Sequence, residues 1–192
     1  LVTGQVKSFE ALLLFFFLVS LSGSLLVWTN KLTVIVASIG LIVAVIYPLA
    51  KRFFDIPQIF LGLAFSWGIL MVSAAELDKI SSTSLIMFSA CFFWIMAYDT
   101  AYAMSDRVDD LAIGLKSSAI TFGKYSQKLI ITFHLISLCL WSFSGFLEKI
   151  NPIFYVSIIV CLVLVFFQFL LIRDENPEKC FTAFKRNNWI GI

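Results

Sequence analysis

Six long apolar runs separated by short polar segments constrain this chain more than any other feature of its sequence. Each run approaches the ~20 mostly apolar residues that a helix needs to cross the hydrocarbon core of a bilayer. The runs predict spanning helices at residues 11–29, 32–50, 56–75, 84–102, 129–147 and 152–172, and the start of a seventh near Asn188. We therefore expect an all-α, polytopic transmembrane helix bundle that forms a single membrane-embedded domain over residues 1–192.

The composition and the breaks between the runs support this assignment. Only 14% of the residues are charged, against about 25% in a typical soluble domain. Pro48 and Pro57 flank the second break, and both are expected at helix ends because proline interrupts helix hydrogen bonding. The four cysteines lack the paired spacing of a metal or redox motif, so they are interpreted as small buried apolar residues.

The distribution of basic residues predicts which loops share a side of the membrane. Six spans place three of the 14 Lys and Arg residues on one side and eleven on the other. Those eleven are Lys7, Lys51, Arg52, Arg107, Lys116, Lys124, Lys128, Arg173, Lys179, Lys185 and Arg186. Loops rich in Lys and Arg usually face the cytoplasm. We expect the richer side to face the cytoplasm, or the matrix in an organelle, and to carry any chemistry.

A dense acidic stretch lies on that richer side. The segment AYDTAYAMSDRVDDLAIGLKSSA, residues 97–119, holds four aspartates within twelve residues, directly after an apolar run. Asp99, Asp106 and Asp110 are spaced i, i+7 and i+11, so on a continued helix they would share one stripe. Converging carboxylates repel each other unless a cation neutralises them, and Mg²⁺ commonly binds one or two carboxylates together with substrate phosphates. The spacing therefore indicates a magnesium-bridged phosphate ligand.

Basic residues of the same side fit such a ligand, although other interpretations stay open. Lys116 follows the acidic stretch, and Lys51 and Arg52 come from another loop, where an Arg fork would match phosphate oxygens. The acidic stretch is equally compatible with a solvated loop. Asp99, which lies nearest the apolar run, is also compatible with a proton relay in a transporter. His134, inside the fifth run, is interpreted as a hydrogen-bonded helix-packing residue.

Three segments of the sequence match motifs of one known family. The segment YDTAYAMSDRVDDLAIGLKSSAITFG, residues 98–123, resembles the second aspartate motif of the UbiA family of intramembrane prenyltransferases, and more narrowly that of its 4-hydroxybenzoate polyprenyltransferase branch. The segments YPLAKRFFDIPQIFLGLAFSWG, residues 47–68, and CFTAFKRNNWIG, residues 180–191, resemble two others in the same order. The opening LVTGQV, residues 1–6, resembles a diverged remnant of the R-P-L-P-S-G that follows the family's first aspartate motif.

The resemblance implies a bundle of nine spans around a central cavity. Two aspartate motifs at its cytoplasmic side would bind Mg²⁺ and the diphosphate of a polyprenyl donor. The sequence carries only the second motif, and the first, N-D-x-x-D-x-x-x-D, is expected upstream. We therefore expect the chain to be a piece of a longer parent, truncated at both ends.

The resemblance also implies roles for the acidic residues. Asp106 and Asp110 match the Mg²⁺-binding pair of the motif. Asp99 is the next candidate, either as a metal ligand or as a partner that orients one. Asp109 is expected to share a proton or the metal with Asp110.

Basic and aromatic residues are assigned in the same way. Arg52 matches the family's basic residue near the diphosphate, with Lys51 beside it, and Lys116 matches the K-S pair after the acidic run. The other interpretation of Lys116 is an interfacial anchor. Tyr98 and Tyr102 have two interpretations, an aromatic face toward a developing carbocation or ordinary packing.

The activity implied by the resemblance is Mg²⁺-dependent transfer of a polyprenyl group from polyprenyl diphosphate to 4-hydroxybenzoate, ortho to the phenol, in ubiquinone biosynthesis. The expected location is the bacterial inner membrane, with the Asp-rich loop facing the cytoplasm. Membrane lipid is an expected partner and nucleic acid is not. The alternatives are an ion-coupled transporter with Asp99 as its coupling site, or an inactive remnant that lacks the first Asp motif.

Overall fold

The computed structural model of the chain describes residues 7–191, and within that range six helices are long and apolar enough to cross a membrane. These segments are Ser8–Trp28, Lys31–Phe53, Gln58–Leu77, Ser82–Ser105, Ser118–Leu147 and Ile153–Ile172. The six predicted spans are therefore confirmed in number and order, and most extend a few residues beyond the predicted limits. The predicted remnant LVTGQV lies outside the described residues.

The helices follow one another in the order α1 to α10. Their bounds are α1 Ser8–Ser24, α2 Lys31–Phe53, α3 Gln58–Leu77, α4 Ser82–Ser105, α5 Arg107–Ala112, α6 Ser118–Phe122, α7 Ser126–Leu147, α8 Ile153–Ile172, α9 Pro177–Arg186 and α10 Asn188–Gly191. Single 3-10 turns at Leu25–Trp28 and Gly123–Tyr125 extend α1 and join α6 to α7. Helix α10 begins at Asn188, where the sequence predicted the start of a further helix.

The prediction that Pro48 marks a helix end is wrong, because α2 continues through it to Phe53. Proline has no N–H to donate, so the carbonyl of Ala44 loses its helix partner at this turn. Pro48 lies on an exposed face of the helix. Spanning helices tolerate proline because small local adjustments satisfy the freed backbone group. Pro57 does lie at a helix end, as the residue that caps the start of α3.

Helix α4 is the centre of the bundle and packs against α3, α7 and α9. Much of its buried face consists of small residues, among them Ala97, Ala101 and Ala103. Small side chains let helix backbones approach closely, which is the usual source of packing energy between helices in a membrane. At the other extreme, α1 has no buried residue and exposes a run of Phe and Leu side chains. The central position of α4 places its C-terminal end, with the acidic stretch, among the loops of its neighbours.

The end of the bundle away from the acidic stretch is held by one asparagine. Asn30 Oδ1 accepts hydrogen bonds from the Thr33 N–H at 2.8 Å and the Thr33 hydroxyl at 2.9 Å, which caps α2. Its Nδ2 donates to the carbonyl of Ala74 near the end of α3, at 2.6 Å. One side chain therefore both starts α2 and ties it to α3.

We expect Asn30→Ala to destabilise the protein by about 1–2 kcal/mol, because the cap of α2 is lost. Asn30→Asp is the matched variant, since it keeps the acceptor for Thr33 and loses only the donor to Ala74. The melting temperature in detergent should fall in the order parent, Asn30→Asp, Asn30→Ala. Equal melting temperatures for all three proteins would contradict the capping role.

Candidate functional site

Three connections meet at one end of the bundle, which we call the acidic end: residues 51–58, residues 99–118 and residues 173–186. The backbone N–H of Lys116 donates to the carbonyl of Lys51 at 3.2 Å. The hydroxyl of Thr121 donates to the carbonyl of Asp55 at 2.6 Å. Arg107 forms an ion pair with Glu175 at 3.5 Å. The acidic stretch is thereby joined to the loops on both sides of it.

The acidic stretch is not one continued helix, which corrects the basis of the predicted stripe. Helix α4 ends at Ser105, and Asp106 is a break residue with φ −95° and ψ 2° before the short helix α5. The N–H of Asp110 still donates to the carbonyl of Asp106 at 2.8 Å, so a helical turn follows the break. The break changes the direction of the chain at Asp106. The carboxylate of Asp106 still acts electrostatically on those of Asp99 and Asp110.

The four aspartates differ sharply in burial. Asp110 is only 5% exposed, Asp99 and Asp106 are half-buried, and Asp109 is exposed. Asp109 and Asp110 are adjacent on a helix, so their side chains point about 100° apart. The structure thus brings Asp99, Asp106 and Asp110 together and turns Asp109 toward solvent.

Asp110 has the least satisfied carboxylate of the group. Its Oδ2 is buried and makes no hydrogen bond, and the buried Ser117 hydroxyl is the neighbouring donor. Burial raises the pKa of Asp110 above its ordinary value; the Lys51 ammonium and the Ser117 hydroxyl oppose that rise, and Asp106 and Asp109 add to it. A buried polar atom without a partner costs free energy, so this oxygen is a candidate ligand atom for a group that binds here.

Lys51 is the basic residue of α2 that acts electrostatically on two of the carboxylates. It is half-buried, and its charge acts on both Asp99 and Asp110. Arg52, the next residue of α2, is exposed. The structure therefore places Lys51 near the carboxylates and Arg52 at the rim.

Lys116 is held by the connection between α2 and α3. Its ammonium forms an ion pair with Asp55 at 2.8 Å and donates to the carbonyl of Phe53 at 3.3 Å. Both side chains are substantially exposed, at 44% for Lys116 and 73% for Asp55. Exposed ion pairs are weak and exchange partners readily, so Lys116 can turn from Asp55 to an anion at the mouth of the site.

Tyr98 and Tyr102 pack against α9. The ring centroid of Phe184 lies 5.8 Å from that of Tyr98 and 4.9 Å from that of Tyr102. Phe181 lies 6.2 Å from Tyr102. A cavity of about 550 Å³ lies beside Tyr98, Trp94 and Phe184. The two tyrosines therefore pack, as one interpretation predicted, and Tyr98 also lines a cavity.

Sequence reasoning missed three residues that the fold brings to the site. Tyr47 of α2 and Gln58 of α3 both lie close to Asp99. Phe184 comes from α9, far along the chain. The quoted segments contained all three, but no spacing argument connects residues on different helices. Gln58 had the clearest signal, since a glutamine inside an apolar run needs polar partners.

The acidic end fits a divalent cation only as part of a larger ligand set. Among residues 7–191 no three His, Cys, Asp or Glu side chains are grouped so as to hold a metal ion. Mg²⁺, however, is usually held by one or two carboxylates, and substrate phosphates and water complete its shell. The unpartnered Oδ2 of Asp110, with Asp106 close by, suits that mode. These residues fit a shared metal and diphosphate.

His134 lies away from this site, within α7. It is 1% exposed and lines an apolar cavity of about 580 Å³ with Trp94 and Trp141. The prediction of a buried packing residue is confirmed, and the side-chain amide of Gln168 on α8 lies beside the imidazole.

Six apolar helices with a carboxylate-rich end define an integral membrane protein with a polar site at one end of its bundle. Comparison of the sequence with known protein families identifies which kind of membrane protein this is. The profile described as the UbiA prenyltransferase family matches residues 1–189. The chain therefore belongs to the UbiA prenyltransferase family.

Its relatives include proteins named 4-hydroxybenzoate octaprenyltransferase. The one from Coxiella burnetii (strain CbuK_Q154) is 41% identical over 192 residues, which is 100% of this chain and 67% of the relative. The one from Nitrosospira multiformis is 40% identical over 191 residues, 100% of this chain and 66% of the relative. The chain thus spans about two thirds of the length of the curated relatives it matches.

A solved structure supports the same fold. The apo structure of a UbiA homolog from Aeropyrum pernix K1 superposes with a TM-score of 0.84 at 21% sequence identity. The match covers 98% of this chain and 71% of that chain. The arrangement of the helices is therefore that of a UbiA protein.

We expect Lys51→Met to destabilise the protein by about 1–3 kcal/mol, because the half-buried Asp99 and the buried Asp110 lose a neighbouring positive charge. Arg52→Met is the matched control, since it removes the same charge one residue later at an exposed position. The measurement is the melting temperature of each variant in detergent. An Arg52→Met protein as destabilised as Lys51→Met would show that the distinction between the two positions is wrong.

Proposed function

We propose that the protein transfers a polyprenyl group from polyprenyl diphosphate to the ring of 4-hydroxybenzoate, ortho to the phenol, with release of diphosphate. The observation that carries this proposal is the acidic end, where Asp110 keeps a buried, unpartnered carboxylate oxygen beside Lys51. Relatives at about 41% identity named 4-hydroxybenzoate octaprenyltransferase supply the substrate class. In such a reaction one C–O bond breaks, one C–C bond forms and the ring loses one proton.

The aspartates of the acidic end have different proposed roles in binding the polyprenyl diphosphate. Asp106 and Asp110 are the proposed Mg²⁺ ligands, Asp99 is the next in line and Asp109 is an outer neighbour. Mg²⁺, when bound, supplies neutralisation of the negative charge that grows on the departing diphosphate.

The basic and aromatic residues complete the site. Arg52 at the rim and Lys116 at the mouth are the proposed cationic contacts to diphosphate oxygens, while Lys51 balances the resident carboxylates. Donors placed in advance where charge develops stabilise a transition state without reorganisation. Tyr98 and Tyr102 are the proposed aromatic residues of the site, since the face of an aromatic ring attracts an allylic cation.

The apolar bundle supports the same chemistry. An allylic cation reacts with water, so a site below the aqueous surface and walled by helices protects it. The polyprenyl chain is as apolar as the lipid tails around the bundle, which explains why the reaction takes place in a membrane protein. The bias of Lys and Arg supports an acidic end on the cytoplasmic side, and we propose the bacterial inner membrane as the location.

The test follows labelled 4-hydroxybenzoate into lipid extract, in membranes that express the complete gene, with polyprenyl diphosphates of several lengths. We expect labelled lipid only with Mg²⁺, and a loss of at least 100-fold in rate for Asp106→Asn and Asp110→Asn. Removal of one preorganised charge-stabilising group costs about 10²–10³ in rate. Glu178→Gln, an exposed change at the start of α9, controls for loss of surface charge.

Three outcomes separate the candidate functions. Absence of label at every prenyl length, with folded protein, would exclude this acceptor. Label that persists in Asp106→Asn and Asp110→Asn would keep the activity and refute the assigned site. Movement of ions across the membrane that depends on the protein, without labelled lipid, would favour the ion-coupled transporter with Asp99 as its coupling site.

A second prediction concerns Lys116, which has both an ion-pair partner and a proposed role toward diphosphate. We expect Lys116→Met to lower kcat/KM for the prenyl donor by about 10–100-fold, since a charge-assisted contact contributes about 1.5–3 kcal/mol. Asp55→Asn removes the same ion pair from its other side and is expected to change kcat/KM less than threefold. If both variants lose activity equally, Lys116 acts through Asp55 and does not meet the donor.

A further inference from the structure

Gln58 is the first member of a buried chain of two hydrogen bonds that runs through Ser118 and links α3, α6 and α4. It is the first residue of α3 and is 2% exposed. Its Oε1 accepts a hydrogen bond from the backbone N–H of Ser118, the first residue of α6, at 2.9 Å. The Ser118 hydroxyl donates to Oγ1 of Thr100 on α4, also at 2.9 Å. Ser118 and Thr100 are completely buried.

The orientation of the Gln58 amide follows from its partner. A backbone N–H can only donate, so the side-chain atom that faces it is the oxygen. The NH₂ group then points to the other side, toward Asp99, whose carboxylate is a neighbour of Gln58. An amide can serve both neighbours at once because it carries an acceptor and donors. An ionised carboxylate would lose the contact to Asp99, and an apolar side chain would lose both.

This arrangement links the two halves of the candidate site. Asp99 is a carboxylate of α4 that also feels the charges of Lys51 and Asp106. Ser118 follows Lys116 and Ser117 directly along the chain. A shift of Gln58 would therefore move the carboxylate on one side and the Lys116 segment on the other.

We propose that Gln58 is a positioning residue that holds the Asp99 carboxylate and residues 116–118 in one arrangement, so that acidic and basic groups meet the same diphosphate. This inference rests on the proposed function and names a residue that acts through others. A purely structural glutamine would contribute to stability alone.

The test uses the protein expressed from its complete gene and purified in detergent. Binding of inorganic pyrophosphate in the presence of Mg²⁺ is measured by calorimetry for the parent, Gln58→Leu, Asp99→Asn and the double variant. Residues that orient a metal or phosphate ligand typically contribute 10–100-fold to affinity. We expect Gln58→Leu to weaken binding about tenfold or more, and the double variant to be no weaker than Asp99→Asn, because both changes remove one coupled interaction.

Thr100→Val is the matched control. It removes the acceptor of the Ser118 hydroxyl and keeps the contact between the Ser118 N–H and Gln58. We expect it to lower the melting temperature while pyrophosphate affinity stays within twofold of the parent. Gln58→Glu is the second variant in case Gln58→Leu does not fold, since it keeps the acceptor for Ser118, and it should also weaken binding.

Several results would overturn the proposal. They are parent-like affinity in Gln58→Leu or Gln58→Glu, independent and multiplicative effects of Gln58→Leu and Asp99→Asn, or no pyrophosphate binding by the parent. Failure of the proposed function looks different, because the coupling would persist while no 4-hydroxybenzoate is prenylated. Prenyl transfer without the coupling would refute the positioning role alone.

Discussion

The docking of residues 116–118 onto the ends of α2 and α3 is the interaction on which the acidic end depends. Two backbone N–H groups make it, from Lys116 to the Lys51 carbonyl at 3.2 Å and from Ser118 to Gln58 at 2.9 Å. Ser118 is completely buried, so its N–H could not be left unpaired without a cost in free energy. Because both are satisfied by neighbouring helices, the acidic stretch is held beside α2, where the charge of the half-buried Lys51 acts on its carboxylates.

The same constraint explains how an apolar chain carries so many aspartates. The charges lie where α4 ends, and the break at Asp106 turns the chain back along the surface of the bundle. Asp99 and Asp110 sit on opposite sides of that break, and each has Lys51 as a neighbouring charge. The second oxygen of Asp110 is buried and has no hydrogen-bond partner. Lys51 therefore offsets part of the negative charge of these carboxylates, and one buried acceptor is available to a ligand.

Sequence reasoning reached the helices but not the contacts between them. Hydrophobic runs of membrane-spanning length are long and unambiguous, so the number and order of the spans could be predicted. Pro48 misled that reasoning, because spanning helices tolerate proline through small local adjustments of the backbone. The break at Asp106 was missed because its cause is tertiary: the Lys116 segment must fold back onto α2. Gln58 and Tyr47 were missed for the same reason, since their partner Asp99 lies on another helix.

Lys51 and Arg52 are adjacent in α2 but point in different directions, and this gives them different surroundings. Consecutive residues on a helix point about 100° apart, so Lys51 and Arg52 cannot both face the carboxylates of α4. Lys51 lies near them, and its charge acts on both Asp99 and Asp110. A cation already engaged this way attracts an incoming anion weakly. Arg52, exposed at the rim, keeps its full charge and its planar fork for phosphate oxygens. The order of the two residues along one turn thus supports a division between a resident counter-charge and a contact for the donor.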